Sequence, residues 1–198
     1  MSTGIDIQFV RETYKKFTDQ ELIRVVTQEA YGLTPEATQI VKEEIISRNL
    51  DPNIIKGIEA QQKVYTVDEI DEYCEIIQNL PCPITGSTQN KLNATMIAEV
   101  MSFILFTQYK KKIIVGNPEA LDKKNNASLG LSALLGWWGF PWGPIRTIQA
   151  IRINIKNKKS NWQETPNDFL RSFVLSKIGE IETYRDNKEK LQQIITAD

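Results

Sequence analysis

Apolar residues in the first eighty positions recur at helical spacing and stop at recognisable signals. Phe9, Val10, Tyr14 and Phe17 share one helical face, and Thr18 with Glu21 forms a capping box in front of Leu22, Ile23, Val25 and Val26. Thr34-Pro35 and Asp51-Pro52 each set an N-cap residue before a proline at the first helical position, where its missing N–H is not needed. Thr66 with Glu69 opens a further helix that carries Ile70, Tyr73, Cys74 and Ile77 on one side. The pattern predicts four helices with short loops, an antiparallel helical module over residues 1–80.

Pro81 ends that run, and two periodicities then compete. Met96, Ile97, Val100, Met101, Ile104 and Leu105 suit a helix, whereas the β-branched and aromatic content from Phe103 to Val115 suits strands. Periodicity leaves residues 93–108 open between the two. The turns at Cys82-Pro83-Ile84-Thr85-Gly86 and at Gly116 with Pro118 favour a short antiparallel β-hairpin or a three-stranded meander.

From Asn125 to Ile145 no residue is charged, over 21 positions, which is long enough to span a bilayer. Its interior argues against a single helix. Gly136-Trp137-Trp138-Gly139-Phe140-Pro141-Trp142-Gly143-Pro144 holds three glycines and two prolines in nine residues. Two apolar helices are therefore expected, near 119–136 and 145–157, joined by a Trp-rich turn. Thr165-Pro166 caps a helix through Phe169, Phe173, Val174 and Ile178, and a short charged helix follows through Tyr184, Leu191 and Ile194. The resulting fold class is α+β and mainly helical. The divisions are an acidic helical module over 1–80, a ribbon-like β segment over 81–120, an apolar Trp-rich hairpin with basic flanks over 121–160, and C-terminal helices over 161–198.

A net charge of -1 conceals segregation: residues 1–80 carry 8 basic and 15 acidic side chains, and residues 108–160 carry 10 basic and 2 acidic ones. Such asymmetry accompanies anionic partners. The 198 residues contain no histidine, which excludes His-dependent triads and His-ligated metals. Ser128, Ser132 and Ser172 thus have no imidazole to activate them, and no Gly-rich phosphate loop is present. The acidic set Asp68, Glu69, Asp71, Glu72 and Glu75 reads as a wet helix face, and Cys74 as a buried apolar residue. Two cysteines and an N-terminus without the order of a secretory signal lead to the expectation of a cytoplasmic protein.

The Cys82-Pro83-Ile84-Thr85-Gly86 turn resembles the first knuckle of a zinc ribbon, Cys-Pro-x-Cys-Gly, and Asn117-Pro118-Glu119-Ala120 stands where the second knuckle would fall. In that alignment Cys82 is the surviving ligand, while Thr85, Asn117 and Ala120 occupy the other three positions. The resemblance implies a degenerate ribbon that holds no metal, with two unrelated proline-containing turns as the alternative reading. The chain also resembles a group of uncharacterised bacterial proteins with an N-terminal helical hairpin, here Phe17-Thr18-Asp19-Gln20-Glu21-Leu22 and Leu33-Thr34-Pro35-Glu36-Ala37 to Arg48, then a ribbon and a Gly-Trp-Trp-Gly-x-Pro-Trp-Gly segment. That resemblance implies a fold and no particular reaction, and the missing ribbon cysteines depart from it.

Three readings of the Trp-rich segment stand side by side: an interfacial hairpin, a buried hairpin in a soluble core, and a double-spanning hairpin, for which the arms are short and Arg146 and Arg152 unfavourable. Together these features favour a non-enzymatic interaction or scaffold protein without a cofactor. It would dock on a membrane surface or a protein partner, as a peripheral or hairpin-anchored protein on the inner face of a membrane. Its anchors would be Trp137, Trp138, Phe140 and Trp142, with Lys110, Lys111, Lys112, Lys156, Lys158 and Lys159 adding attraction to anions. Nucleic acid is the second partner class, since Tyr109 and the tryptophans could stack on bases. An enzyme lacking histidine is the remaining alternative.

Overall fold

The computed structural model describes residues 7–103, 106–139 and 141–196. Among them the elements run α1 (Ile7–Lys16), α2 (Asp19–Gln28), a 3-10 turn (Ala30–Gly32), α3 (Pro35–Ser47), α4 (Asn53–Gln62), α5 (Val67–Gln78), β1 (Asn93–Phe103), β2 (Phe106–Gly116), α6 (Pro118–Leu135), α7 (Trp142–Asn161), α8 (Asp168–Ser176), α9 (Ile178–Thr183) and α10 (Lys188–Thr196). The fold is α+β and mainly helical, as the pattern predicts. Its contacts divide the chain into two units, residues 1–67 with 175–194, and residues 68–174 with 195–198. Phe140 lies outside the described residues.

In the first unit the Thr18 side chain accepts the Glu21 N–H, and the Glu21 carboxylate accepts the Thr18 N–H at 2.8 Å. This box starts α2 and so ends α1 at Lys16, so residues 1–80 hold five helices where four were expected. Arg48 closes the end of α1, donating to the carbonyls of Tyr14, Lys15 and Phe17 and to the carboxylates of Glu44 and Asp19. Those carbonyls include ones that a helix end leaves without a partner. Leu22, Val26, Ala30, Val41, Ile45, Ile54 and Ile58 form the core. Helices α4 and α9 touch at Gly57, where a Cβ would come within 2.6 Å of the Gly179 carbonyl oxygen.

In the second unit residues 93–103 are strand: β1 pairs antiparallel with β2, from Asn93 opposite Gly116 to Phe103 opposite Phe106. Each strand is eleven residues long, and among the described residues no third strand joins them.

Helices α6 and α7 pack against β1 and each other, and they do so with polar faces. Asn125, Ser128 and Ser132 on α6 are buried, as are Thr147, Asn154, Asn157 and Asn161 on α7. Three of these side chains, Asn154, Asn157 and Ser132, bond the edge of β1 that faces away from β2. Asn154 donates to the Ala98 carbonyl at 2.8 Å and accepts the Ala98 N–H at 3.2 Å; Asn157 donates to the Met96 carbonyl at 2.8 Å; and Ser132 Oγ accepts the Val100 N–H at 3.1 Å. Asn167, from the loop before α8, donates to the Ala94 carbonyl at 2.7 Å. Side chains thus supply the hydrogen bonds that a third strand would make, which a buried strand edge requires. Helix α7 begins at Trp142, earlier than the expected 145, because Pro144 falls within the first turn, where an N–H has no intrahelical acceptor. The helix expected through Ile178 is interrupted at Lys177, which divides α8 from α9.

Candidate functional site

The four positions aligned with ribbon ligands come together. The N–H of Asn117 reaches Cys82 Sγ at 3.4 Å, Asn117 Nδ2 lies 3.5 Å from Thr85 Oγ1, and Asn117 Oδ1 accepts the Ala120 N–H at 3.1 Å as the cap of α6. Burial by itself raises the Cys82 thiol. The Thr85 side chain and the backbones of Asn117, Ile84 and Thr85, all bonded to the sulfur, outweigh it and hold the thiol below its ordinary value. Hydrogen bonds therefore join the two turns. No group of three Cys, Asp or Glu suited to a metal occurs among the described residues.

The Trp-rich turn sits against the tip of the β-hairpin. Ser102 Oγ donates to the Gly136 carbonyl at 2.9 Å and lies 3.2 Å from Thr107 Oγ1. A Cβ on Gly139 would lie 3.0 Å from Ser102 Cβ, and one on Gly143 would lie 2.6 Å from the Gly136 carbonyl oxygen. These close approaches need glycine, and they turn the large rings outward. Trp137, Trp138 and Trp142 are 46%, 71% and 59% exposed, and Phe106 at the hairpin tip is 63% exposed. The buried-hairpin reading asks these rings to fill a core, and in this structure they do not. Leu134, Leu135, Ile145, Ile148 and Ile155 are exposed as well, so α6 and α7 carry polar side chains inward and apolar ones outward. No helix among the described residues is long and apolar enough to cross a membrane.

The six lysines separate from the aromatic turn but share a level along the unit. Lys111 stands opposite Ala98, which Asn154 binds, and Ile113 stands opposite Met96, which Asn157 binds. Lys110, Lys111 and Lys112 are therefore level with the α7 segment that carries Lys156 and Lys158, with Lys159 next. At about 3.3 Å per strand residue and 1.5 Å per helix residue, this collar lies roughly 13 to 26 Å from the turn. Lys158 donates to Asn126 Oδ1 at 3.1 Å, and Lys110, Lys111, Lys112, Lys156 and Lys159 are exposed.

Between turn and collar lies a group that sequence reasoning named only in part, with Trp142 as an anchor and Tyr109 as a base-stacking ring, but never together with Thr107 and Arg146. Thr107, Tyr109, Trp142 and Arg146 line a cleft of about 510 Å³. The Arg146 guanidinium lies 5.2 Å from the centre of the Tyr109 ring, and the Lys111 ammonium lies 5.3 Å from it. The Tyr109 hydroxyl is shielded from water and has no hydrogen-bond partner among the described residues. The i, i+4 spacing of Trp142 and Arg146 was the available signal; Tyr109 joins them only through the hairpin register.

Of the acidic set on α5, Asp68, Glu72 and Glu75 are exposed, and Asp71 instead takes both sides of the Arg171 fork, at 2.7 and 2.9 Å. Arg171 holds the Asp71 carboxyl below its usual range. Cys74 is buried, and burial pushes its thiol up to about 12. No protein-family model matches the chain, and no curated protein or solved structure is found similar to it.

Proposed function

We propose that this chain is an interaction protein that docks on an anionic membrane surface through the end of its second unit formed by the Trp-rich turn and the β-hairpin tip. The observation that carries this reading is the reversed polarity of α6 and α7: asparagine, serine and threonine inside, with leucine, isoleucine and tryptophan in contact with solvent. Exposed apolar surface of this kind, concentrated at one end, is the mark of a docking face. Tryptophan suits the acyl boundary because its ring can be buried while its N–H meets the wet headgroups.

Taking about 200 Å² per tryptophan, the exposed parts of Trp137, Trp138 and Trp142 amount to roughly 350 Å², or about 9 kcal/mol if fully buried. Association consumes a comparable amount, so the rings need a second source of attraction. The lysine collar supplies it. With the rings at the acyl boundary, the collar faces the negative surface potential of an anionic leaflet, where each charge close to the surface adds about 1 kcal/mol.

The test is flotation of the full chain with vesicles of phosphatidylcholine alone or mixed with phosphatidylglycerol, beside the variant with Trp137, Trp138 and Trp142 all changed to serine. The wild type should float with the anionic vesicles and lose binding at high salt, and the variant should stay behind while melting like the wild type. A wild type that ignores both vesicles refutes membrane docking and leaves the apolar end as a protein contact. A variant that unfolds returns the rings to the core.

A further inference from the structure

We propose that the cleft between Thr107, Tyr109, Trp142 and Arg146 holds the phosphate of one anionic phospholipid headgroup, with Arg146 as the residue that grips it. The inference rests on the membrane-docking reading and deepens it, from a surface attracted to anionic lipid to a site that takes hold of a single lipid.

Arg146 stands apart from most other arginines of the chain. Arg11, Arg24, Arg48, Arg171 and Arg185 all pair with carboxylates. Arg146 is half-buried, yet among the described residues its hydrogen bond goes to the neutral Gln149 amide oxygen at 3.2 Å, and its guanidinium lies over the Tyr109 ring, 5.2 Å from the centre. A second cation, Lys111, approaches the same ring. Two positive groups around one tyrosine, neither ion-paired to a carboxylate among the described residues, make a place of unbalanced charge, and an anion in the cleft would balance it. Helix α7 adds to this. No side chain caps its N-terminus, so the positive end of a 20-residue helix lies at the turn that carries Trp142 and Arg146.

The depth of the site matches the ligand. Trp142 and Arg146 are one helical turn apart on the same face, about 6 Å along the axis. The headgroup layer of a bilayer is roughly 5 to 8 Å thick on each side of the hydrocarbon. When Trp142 lies at the acyl boundary, Arg146 therefore lies among the phosphates, whereas the lysines of the collar other than Lys111 are set farther back. The chemistry is specific as well. The guanidinium fork meets two phosphate oxygens at once, and an ammonium cannot do so. A volume of about 510 Å³ accommodates a phosphate with its glycerol.

The experiment compares the full chain with Arg146→Gln, Arg146→Lys and Lys156→Gln, titrated with phosphatidylcholine vesicles and with phosphatidylcholine–phosphatidylglycerol vesicles, folding being checked by thermal melting of each. Lys156→Gln should weaken anionic-vesicle binding by no more than about five-fold, the effect of one surface charge. Arg146→Gln should weaken it ten-fold or more. Arg146→Lys should weaken it several-fold although the charge is kept, and added glycerol phosphate should not release the wild type. If Arg146→Lys binds like the wild type, or Arg146→Gln binds no worse than Lys156→Gln, the headgroup site is refuted and membrane docking stands. Release by glycerol phosphate reassigns the cleft to a soluble phosphate and overturns the lipid site. A wild type that binds neither vesicle removes both readings.

Discussion

Replacing Asn154 by leucine tests whether polar side chains hold the second unit together. Asn154 is buried and satisfies both the N–H and the carbonyl of Ala98, itself buried. Leucine branches at the same carbon but offers neither donor nor acceptor, and it leaves no room for water to take over. Two backbone groups lose their partners at about 1 to 3 kcal/mol each, while the added apolar surface returns about 1.5 kcal/mol or more. The net loss should be about 3 kcal/mol. All four tryptophans fall between 137 and 162, so tryptophan fluorescence, excited apart from tyrosine, reports the second unit during urea unfolding. With a slope of about 1 to 3 kcal/mol per molar, the midpoint should fall by about 1 M or more. The neighbouring Ile155 is exposed, and Ile155→Ala should change stability by less than about 0.5 kcal/mol. An unchanged midpoint for Asn154→Leu, or a larger loss for Ile155→Ala, would refute the reasoning.

Other outcomes follow from single contacts. Gly136→Ala should lower the melting temperature of the second unit, since the new methyl would meet the Thr147 hydroxyl and lie 2.5 Å from the Ser132 carbonyl oxygen; a melting curve like the wild type's would contradict this packing. Asp71→Asn should cost about 1 kcal/mol near neutral pH. Because Arg171 depresses the native Asp71 value, that stabilisation is full above about pH 4 and lost as the pH falls through the lower native value, so wild type and variant should converge in acid unfolding curves. In an ultraviolet thiolate titration Cys82 should ionise before an ordinary thiol and Cys74 only near about 12, with Thr85→Val shifting the first step upward. Elemental analysis of the purified chain should find no stoichiometric zinc, and Cys82→Ser should cost about 1 kcal/mol, because a hydroxyl can also accept the Asn117 N–H.

The first unit was legible because its signals are local. The Thr18–Glu21 box and the Thr34 cap are read within four residues, and the apolar face of α2 is the buried one. The second unit was harder because its polarity is reversed. A reader of helical faces expects Asn154 and Ser132 outside and Ile155 and Leu134 inside, and the opposite holds. The absence of charge marked the α6–α7 hairpin, while β1 hid its strand character because Asn93 and Thr95, polar yet fully buried, spoil the alternation. The aromatic anchors were visible as a cluster. The pairing of Tyr109 with Arg146, and of Asp71 with Arg171 a hundred residues on, depends on how the chain returns upon itself, and no spacing records that.

The asparagines that bond the edge of β1 also bear on how molecules of this protein meet one another. A two-stranded sheet has two borders at which another chain could add a strand, and here one border is already occupied by Asn154, Asn157, Asn167 and Ser132. The other belongs to β2, whose middle is Lys110, Lys111 and Lys112, and like charges brought face to face oppose pairing between copies. Crowding on a surface, where local concentration rises steeply, is the circumstance in which an unprotected strand would polymerise. A chain with one border sealed and the other charged can gather there and stay separate.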